Sequence, residues 1–279
     1  MNVSRILVCL LAFGLGLTAA QAGETYSFGV LPQRSAVLTA QYWNPILDHA
    51  GRQAGVTLSL KVARTAPESK EAVARGDYDF VYSNHFFEPQ ITSGYQVILR
   101  PLDEAISGQI VTLESSPIKS LGDLNGKEVG FPSAAAFVGY QVPMDHLLRQ
   151  KIDVTPVFGG NQEGIMGQLK VGRVAAAGVN GQVMKAYAAR EGVKYRVLWE
   201  SGSYFNIPVA VHPRVPRAVA EAVRKAIDAM DQEPEGRKVL EASAQTVGQK
   251  PPYGFRASGP ADYRNYTDFY KNTVLKDVQ

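Results

Sequence analysis

The chain has 279 residues, with 29 Lys and Arg against 26 Asp and Glu, and a formal net charge of +3. That near balance, without a long basic run, argues against nucleic acid as a partner, which calls for a clustered positive surface. A single cysteine excludes an internal disulfide and a thiolate metal site, so stability has to come from burial.

The N-terminus reads as an export signal. Arg5 precedes an apolar run from Ile6 to Leu17, and Ala20-Gln21-Ala22 supplies the small residues a signal peptidase reads. A membrane span needs about 20 apolar residues, more than this run offers. Residues 1–22 are therefore expected to be removed, Cys9 with them, and the protein to be periplasmic. About 257 residues with a net charge of about +2 remain, enough for two lobes of ordinary domain size.

From Gly23 on, β-type runs alternate with helix-patterned stretches, the signature of an α/β fold with mainly parallel sheets. Tyr26 to Leu31 predicts a strand, Pro32 to Ala36 a loop, Val37 to Gln53 a helix and Val56 to Val62 a second strand. Pro67 to Arg75 predicts a helix, Gly76-Asp77 a turn and Phe80 to Tyr82 a short buried strand. The order then recurs at an ungapped offset of 96: Leu58-Ser59-Leu60 falls on Val154-Thr155-Pro156, Gly76 on Gly172 and Asn84 on Asn180. Either an internal duplication or the general likeness of β-α-β units explains this. Ile110 to Leu113 and Ile207 to Val211, placed where the two units end, are expected to be hinge strands. Lobe one is then residues 23–108 plus 206–279 and lobe two 109–205, with the helices at Pro216–Met230 and Ala261–Leu275 returning to lobe one. Tyr263, Tyr266, Phe269 and Tyr270 form a stripe at helical spacing, read as core packing.

The segment Ser116-Pro117-Ile118-Lys119-Ser120-Leu121-Gly122-Asp123-Leu124-Asn125-Gly126-Lys127-Glu128-Val129-Gly130 resembles the stretch after the first hinge strand of type II periplasmic binding proteins. Gly76 to Tyr82, Gly159-Gly160-Asn161-Gln162-Glu163 and Pro234 to Leu240 resemble one branch, the phosphonate- and phosphite-binding receptors of ABC transporters. The resemblance covers roughly 28 to 245. It implies a two-lobed clamp, a small anionic ligand held between the lobes at helix N-termini, and an ABC permease as partner. A membrane sensor kinase is the alternative partner. A monomer without cofactor or metal is expected.

Candidate ligand contacts follow from the loops at the carboxyl ends of the strands. Gln33 and Arg34 follow the first strand, and Arg34 is either a bidentate anion ligand or a solvated loop residue. Ser83, Asn84 and His85 close the third strand. Asn84 is either a ligand contact or an Asx-turn partner, and His85 either a donor or a structural hydrogen-bonder. Thr65 stands at the end of the second strand, Gln162 and Glu163 at the equivalent place in the repeat, and Asn180 in register with Asn84. Ser133, Ala134 and Ala135 open the turn Pro132 to Gly139, where Ser133 is either a helix cap or a ligand donor. Two departures stand out. Where phosphonate receptors place a Ser-Thr-Ser-type run, this chain has Ala136-Phe137-Val138, which makes Phe137 a candidate pocket wall. Where they often have His it has Gln162, a neutral amide. Tyr42, Trp43, Tyr204 and Asn206 are weaker candidates. Histidines 49, 85, 146 and 212 are dispersed, His49 and His146 within Asp-His pairs on helices expected to face solvent. No nucleophile elbow, phosphate loop or metalloprotease helix is present, so no catalytic role is expected.

Overall fold

The computed structural model describes residues 23–103 and 105–276; the predicted signal peptide and Cys9 lie outside them. The first half runs β1 Thr25–Val30, α1 Ala36–Ala54, β2 Thr57–Val62, α2 Ala66–Arg75, β3 Phe80–Tyr82 and β4 Gln96–Pro101. The second runs β5 Gly108–Leu113, β6 Lys127–Phe131, α3 Val142–Arg149, β7 Val154–Phe158, α4 Gln162–Lys170, β8 Ala176–Asn180, α5 Gly181–Glu191 and β9 Tyr195–Glu200. After it come β10 Val209–Val211, α6 Arg217–Ala229, α7 Pro234–Thr246, β11 Phe255–Ala257 and α8 Arg264–Asn272.

Local chemistry sets the ends of these elements. Ser35 caps α1 by accepting from Leu38 N at 3.3 Å, and Gly55 stops it in the left-handed region at φ 70°. Trp43, Ile46, Leu47 and Ala50 recur at helical spacing and are buried against β1, α6 and α7. Burying each large side chain of such a stripe contributes about 1.5–3 kcal/mol, more than any single cap. Gly76 and Gly172, aligned by the offset of 96, end α2 and follow α4, and both adopt φ 72°.

Two mixed sheets result, ordered β2-β1-β3-β10-β4-β11 and β7-β6-β8-β5-β9. In each, three parallel strands carry the helices, and the fourth position is antiparallel. That fourth strand is the first after each crossing of the chain: β5 opens the second lobe and joins its sheet, and β10 follows the second lobe and joins the first sheet. Equivalent positions match closely, since Phe28 pairs with Phe80 in one sheet and Val129 with Ala176 in the other.

Three expectations need adjustment. The expected hinge segments lead into or form β5 and β10; the chain passes between lobes just before these strands, where Ile106 and Tyr204 exchange two backbone hydrogen bonds of 2.8 Å. α6 returns to the first lobe, but α8 lies across the junction, because its tyrosines find partners on both sides. Phe87 packs on Tyr266 at 5.0 Å from the first lobe and on Tyr263, just before α8, at 5.4 Å, and Phe137 stacks on Tyr266 at 4.3 Å from the second. The stripe is core, as read, but the core of the junction. Finally, His49 does not face solvent: it is buried under α7 with Glu233 3.8 Å away. His146 is half-covered and stacks on Trp199 at 4.3 Å.

Candidate functional site

Two connected cavities lie between the lobes. The smaller, about 40 Å³, is bounded by Leu31, Ala66, Asn84, Ser133, Ala135, Gln162, Asn180 and Ile207, drawn from both sheets. About 10–15 Å³ suffices for one water, so this space admits a compact headgroup rather than a whole metabolite. The larger, about 530 Å³, shares Leu31, Gln33 and Asn180 with it and extends between the start of α1, the face of α5 and the loop after α7.

Helix starts converge on the small chamber. Thr65 caps α2 through Oγ1 to Glu68 N at 3.2 Å, Asn161 caps α4 through Oδ1 to Gly164 N at 2.8 Å, and Asn180 caps α5 by accepting from Gln182 N at 3.0 Å and Val183 N at 3.3 Å. Those bonds leave the first amides of α2 and α4, at Ala66 and Gln162, without intrahelical partners, as helix geometry requires. In the turn before α3, the N–H groups of Ser133 and Ala135 have no partner among the described residues, while the Ser133 carbonyl accepts from Ala136 N at 3.1 Å. Such N–H groups are ready anion donors.

Asn84 stands apart. It is 4% exposed, and its Oδ1 has no hydrogen-bond partner among the described residues, while its amide side faces the Tyr266 hydroxyl. A buried acceptor left unpaired costs about 1–3 kcal/mol, which a ligand or water donor would recover. Next to it His85 is 1% exposed, and burial, with Lys70 nearby, pushes its pKa down to about 3 against a weak pull from the Ala135 carbonyl. His85 is therefore neutral at ordinary pH.

The turn that departs from the receptor pattern forms a π-helix, Phe137–Gln141, entered from Ala136 with no side-chain cap. Such bulges arise where a helix start is re-aimed. The Phe137 ring is anchored from outside its own turn: it stacks on Tyr266 and meets Phe269 edge-on at 5.1 Å, while the residue still borders the small chamber. Gln162 lines the chamber and accepts from Asn180 N through Oε1 at 3.0 Å, joining α4 to α5. Gly139 admits it, for a Cβ there would lie 2.5 Å from Gln162 Nε2.

Of the expected contacts, Gln33, Asn84, Ser133, Ala135, Phe137, Gln162 and Asn180 border the small chamber, and Gln33, Arg34 and Asn180 the large one. Ser133 is not a helix cap, since Ala136 occupies that position. Thr65, Ser83, His85, Ala134 and Glu163 border neither. Thr65 is a cap, Ser83 Oγ accepts from His85 N at 3.2 Å, Ala134 is exposed, and Glu163 pairs with Arg190 at 3.0 Å. Residues unremarked in the sequence also border the large chamber: Asp103, Lys185 and Lys250, brought together from three distant segments. Nothing in their local sequence could have singled them out. Trp43, one of the weaker candidates, is 3% exposed and, with Tyr42, Tyr82 and Phe255, lines the large chamber. Burial, with Asp103 adding to it and Arg34 opposing, pushes the Tyr42 and Tyr82 hydroxyls well above the usual tyrosine range, so both stay protonated donors. Among the described residues, no three His, Cys, Asp or Glu side chains come together to hold a metal, and no helix is long and apolar enough to cross a membrane.

The molecule has clear relatives. Its fold matches a binding protein component of an ABC phosphonate transporter from Pseudomonas aeruginosa, with a TM-score of 0.73 at 14% identity over 92% of each chain. It matches PhnD1 from Prochlorococcus marinus in complex with methylphosphonate equally well, with a TM-score of 0.73 at 13% identity over 89% of this chain and 97% of the other. A curated relative, the tetrathionate sensor histidine kinase TtrS of Salmonella typhimurium, is 31% identical over 147 residues, or 49% of this chain; the aligned part spans only 24% of that protein's length. The family model described as "ABC transporter, phosphonate, periplasmic substrate-binding protein" matches residues 28–253, and the two-lobed clamp built above therefore belongs to the periplasmic substrate-binding proteins of phosphonate ABC transporters.

Proposed function

We propose that the small chamber receives the headgroup of a phosphonate- or phosphite-like monoanion, and that the lobes close on it to present the ligand to an ABC permease. The observation that carries this reading is the meeting, in one interlobe space, of unpaired N–H donors and the orphan acceptor Asn84 Oδ1. A singly protonated phosphonate satisfies both, its P–O⁻ oxygens accepting from the amides and its P–OH donating to Asn84. A sulfonate has only acceptors and leaves Asn84 unpaired. The absent hydroxyl run at 136–138 is offset by backbone donors rather than by other side chains. Residues 1–22 act as a cleavable signal, lobe two spans 109–205, and the remainder forms lobe one, with α8 shared across the junction. The protein works as a monomer and does not transform its ligand.

Thermal denaturation with phosphite, methylphosphonate, methanesulfonate and sulfate tests the reading. A phosphonate or phosphite at 100 times its Kd is expected to add about 2.7 kcal/mol of stability, and the sulfur oxyanions much less. An unchanged melting temperature with both phosphorus compounds would overturn it. The match to a sensor kinase supports a second reading, in which the same clamp reports a ligand to a membrane kinase. Tetrathionate binding in preference to methylphosphonate would favour it.

A further inference from the structure

The large chamber has a charge pattern that a simple alkylphosphonate would leave unused. Its floor is aromatic, formed by Tyr42, Trp43, Tyr82 and Phe255. Around it stand Arg34 from the loop after β1, Lys185 from α5 and Lys250 from the loop after α7. None of these three makes an ion pair among the described residues, whereas Arg190 at the same cavity is engaged by Glu163 at 3.0 Å and Glu191 at 3.2 Å. Asp103 is the one carboxylate on the wall among the described residues, and its Oδ2 accepts from Asn206 Nδ2 at 2.6 Å. Three unpaired cations against one carboxylate leave a positive surplus in a partly enclosed space, where charges are screened less than on open surface.

Resting on the phosphonate reading of the small chamber, we infer that the ligand is two-ended: its phosphonate head sits in the small chamber, and a second anionic group on a short apolar body occupies the large one, held by Arg34, Lys185 and Lys250. The volume agrees, since about 530 Å³ lies within the roughly 300–1,000 Å³ of small-molecule sites and far exceeds a methyl group. The charge sign selects against an aminoalkyl tail, which these cations repel. The placement matters too. Arg34 and Lys250 belong to the first lobe and Lys185 to the second, so an anion between them neutralises a repulsion across the cleft and favours closure.

Isothermal titration of the full mature protein in moderate salt, with methylphosphonate, 2-aminoethylphosphonate and 3-phosphonopropionate, tests this. The two-ended phosphonopropionate is expected to bind about tenfold more tightly than methylphosphonate, each exposed ion pair supplying a factor of about two to five. Aminoethylphosphonate is expected to bind more weakly than either. The double variant Lys185→Gln, Lys250→Gln alters exposed side chains and should abolish the tenfold advantage, with methylphosphonate affinity changed less than about twofold. Equal affinities for all three ligands, or a preference for aminoethylphosphonate, would overturn the inference while leaving the phosphonate headgroup intact. If no phosphonate binds but glutarate does, and Lys185→Gln weakens it, the headgroup reading fails and the anion-binding role of the large chamber stands. Binding of neither class overturns both.

Discussion

Asn84 and Asn180 occupy equivalent places, each closing the third parallel strand of its lobe, yet their side chains do different work. Asn180 is followed by an eleven-residue helix, and its Oδ1 is taken up by two of that helix's amides. Asn84 is followed only by the 3-10 turn His85–Phe87, with no side-chain cap bond, so its Oδ1 stays unpaired beside the small chamber. The same amide is thus structural in one lobe and available in the other, and what decides is the element that comes next. The first helices differ in the same way. Counting from the equivalent sheet positions Phe28 and Val129, Ala36 corresponds to Phe137, and α1 starts cleanly from its Ser35 cap, whereas its counterpart starts from uncapped Ala136 through a π-turn. α1 is set by its local cap; its counterpart in lobe two is anchored by Tyr266, from the far end of the chain.

Breaking that anchor should have the largest effect. Phe137→Ala removes a 3%-exposed ring from the junction, and a loss of about 3–5 kcal/mol is expected in urea unfolding; a loss below 1 kcal/mol would mean the π-turn holds itself. Next, Asn84→Ala should weaken phosphonate binding about ten- to hundredfold, the range of hydrogen bonds to charged groups, and leave the melting temperature of the free protein level or slightly raised. If stability falls while affinity holds, the contrast between the two asparagines is wrong. His85 follows Asn84 where Gly181 follows Asn180. Between pH 6.5 and about 3 the unfolded chain binds a proton at His85 and the folded one does not. Stability therefore falls as pH drops through that window, by up to about 1.4 kcal/mol per pH unit. His85→Gln should flatten that slope in denaturant midpoints taken from pH 7 to 4. The smallest effect is expected from Asn180→Ala, about 1 kcal/mol through loss of the α5 cap, and Thr65→Ala at α2 should match it in the same unfolding assay.

Much of this was legible before the fold was known, and the reason is locality. Glycines ending helices, caps such as Thr65 and the alternation of strand and helix depend on a few adjacent residues, so the offset of 96 located equivalent elements within a residue or two. That Asn84, Gln162 and Asn180 border the interlobe chamber could be read ahead because strand ends in parallel sheets converge on a cleft. What could not be read depends on distant segments. Phe137 reads as a pocket wall from its own turn, and it does border the small chamber; that its ring also packs on Tyr266 depends on α8, more than a hundred residues later. His49 looked exposed because α7, which covers it, lies far along the chain. The cations of the large chamber come from three separate segments, each unremarkable alone, and the true crossing points lie in loops with no periodicity to mark them.

The paired bonds between Ile106 and Tyr204 carry a kinematic consequence. Two strands held by a single closed ring of hydrogen bonds cannot slide along one another, yet they can still swivel about it. The lobes are therefore expected to turn about that ring rather than slide past it. Interlobe distances measured from different pairs of labels should then change together, each a function of one angle, between open and shut.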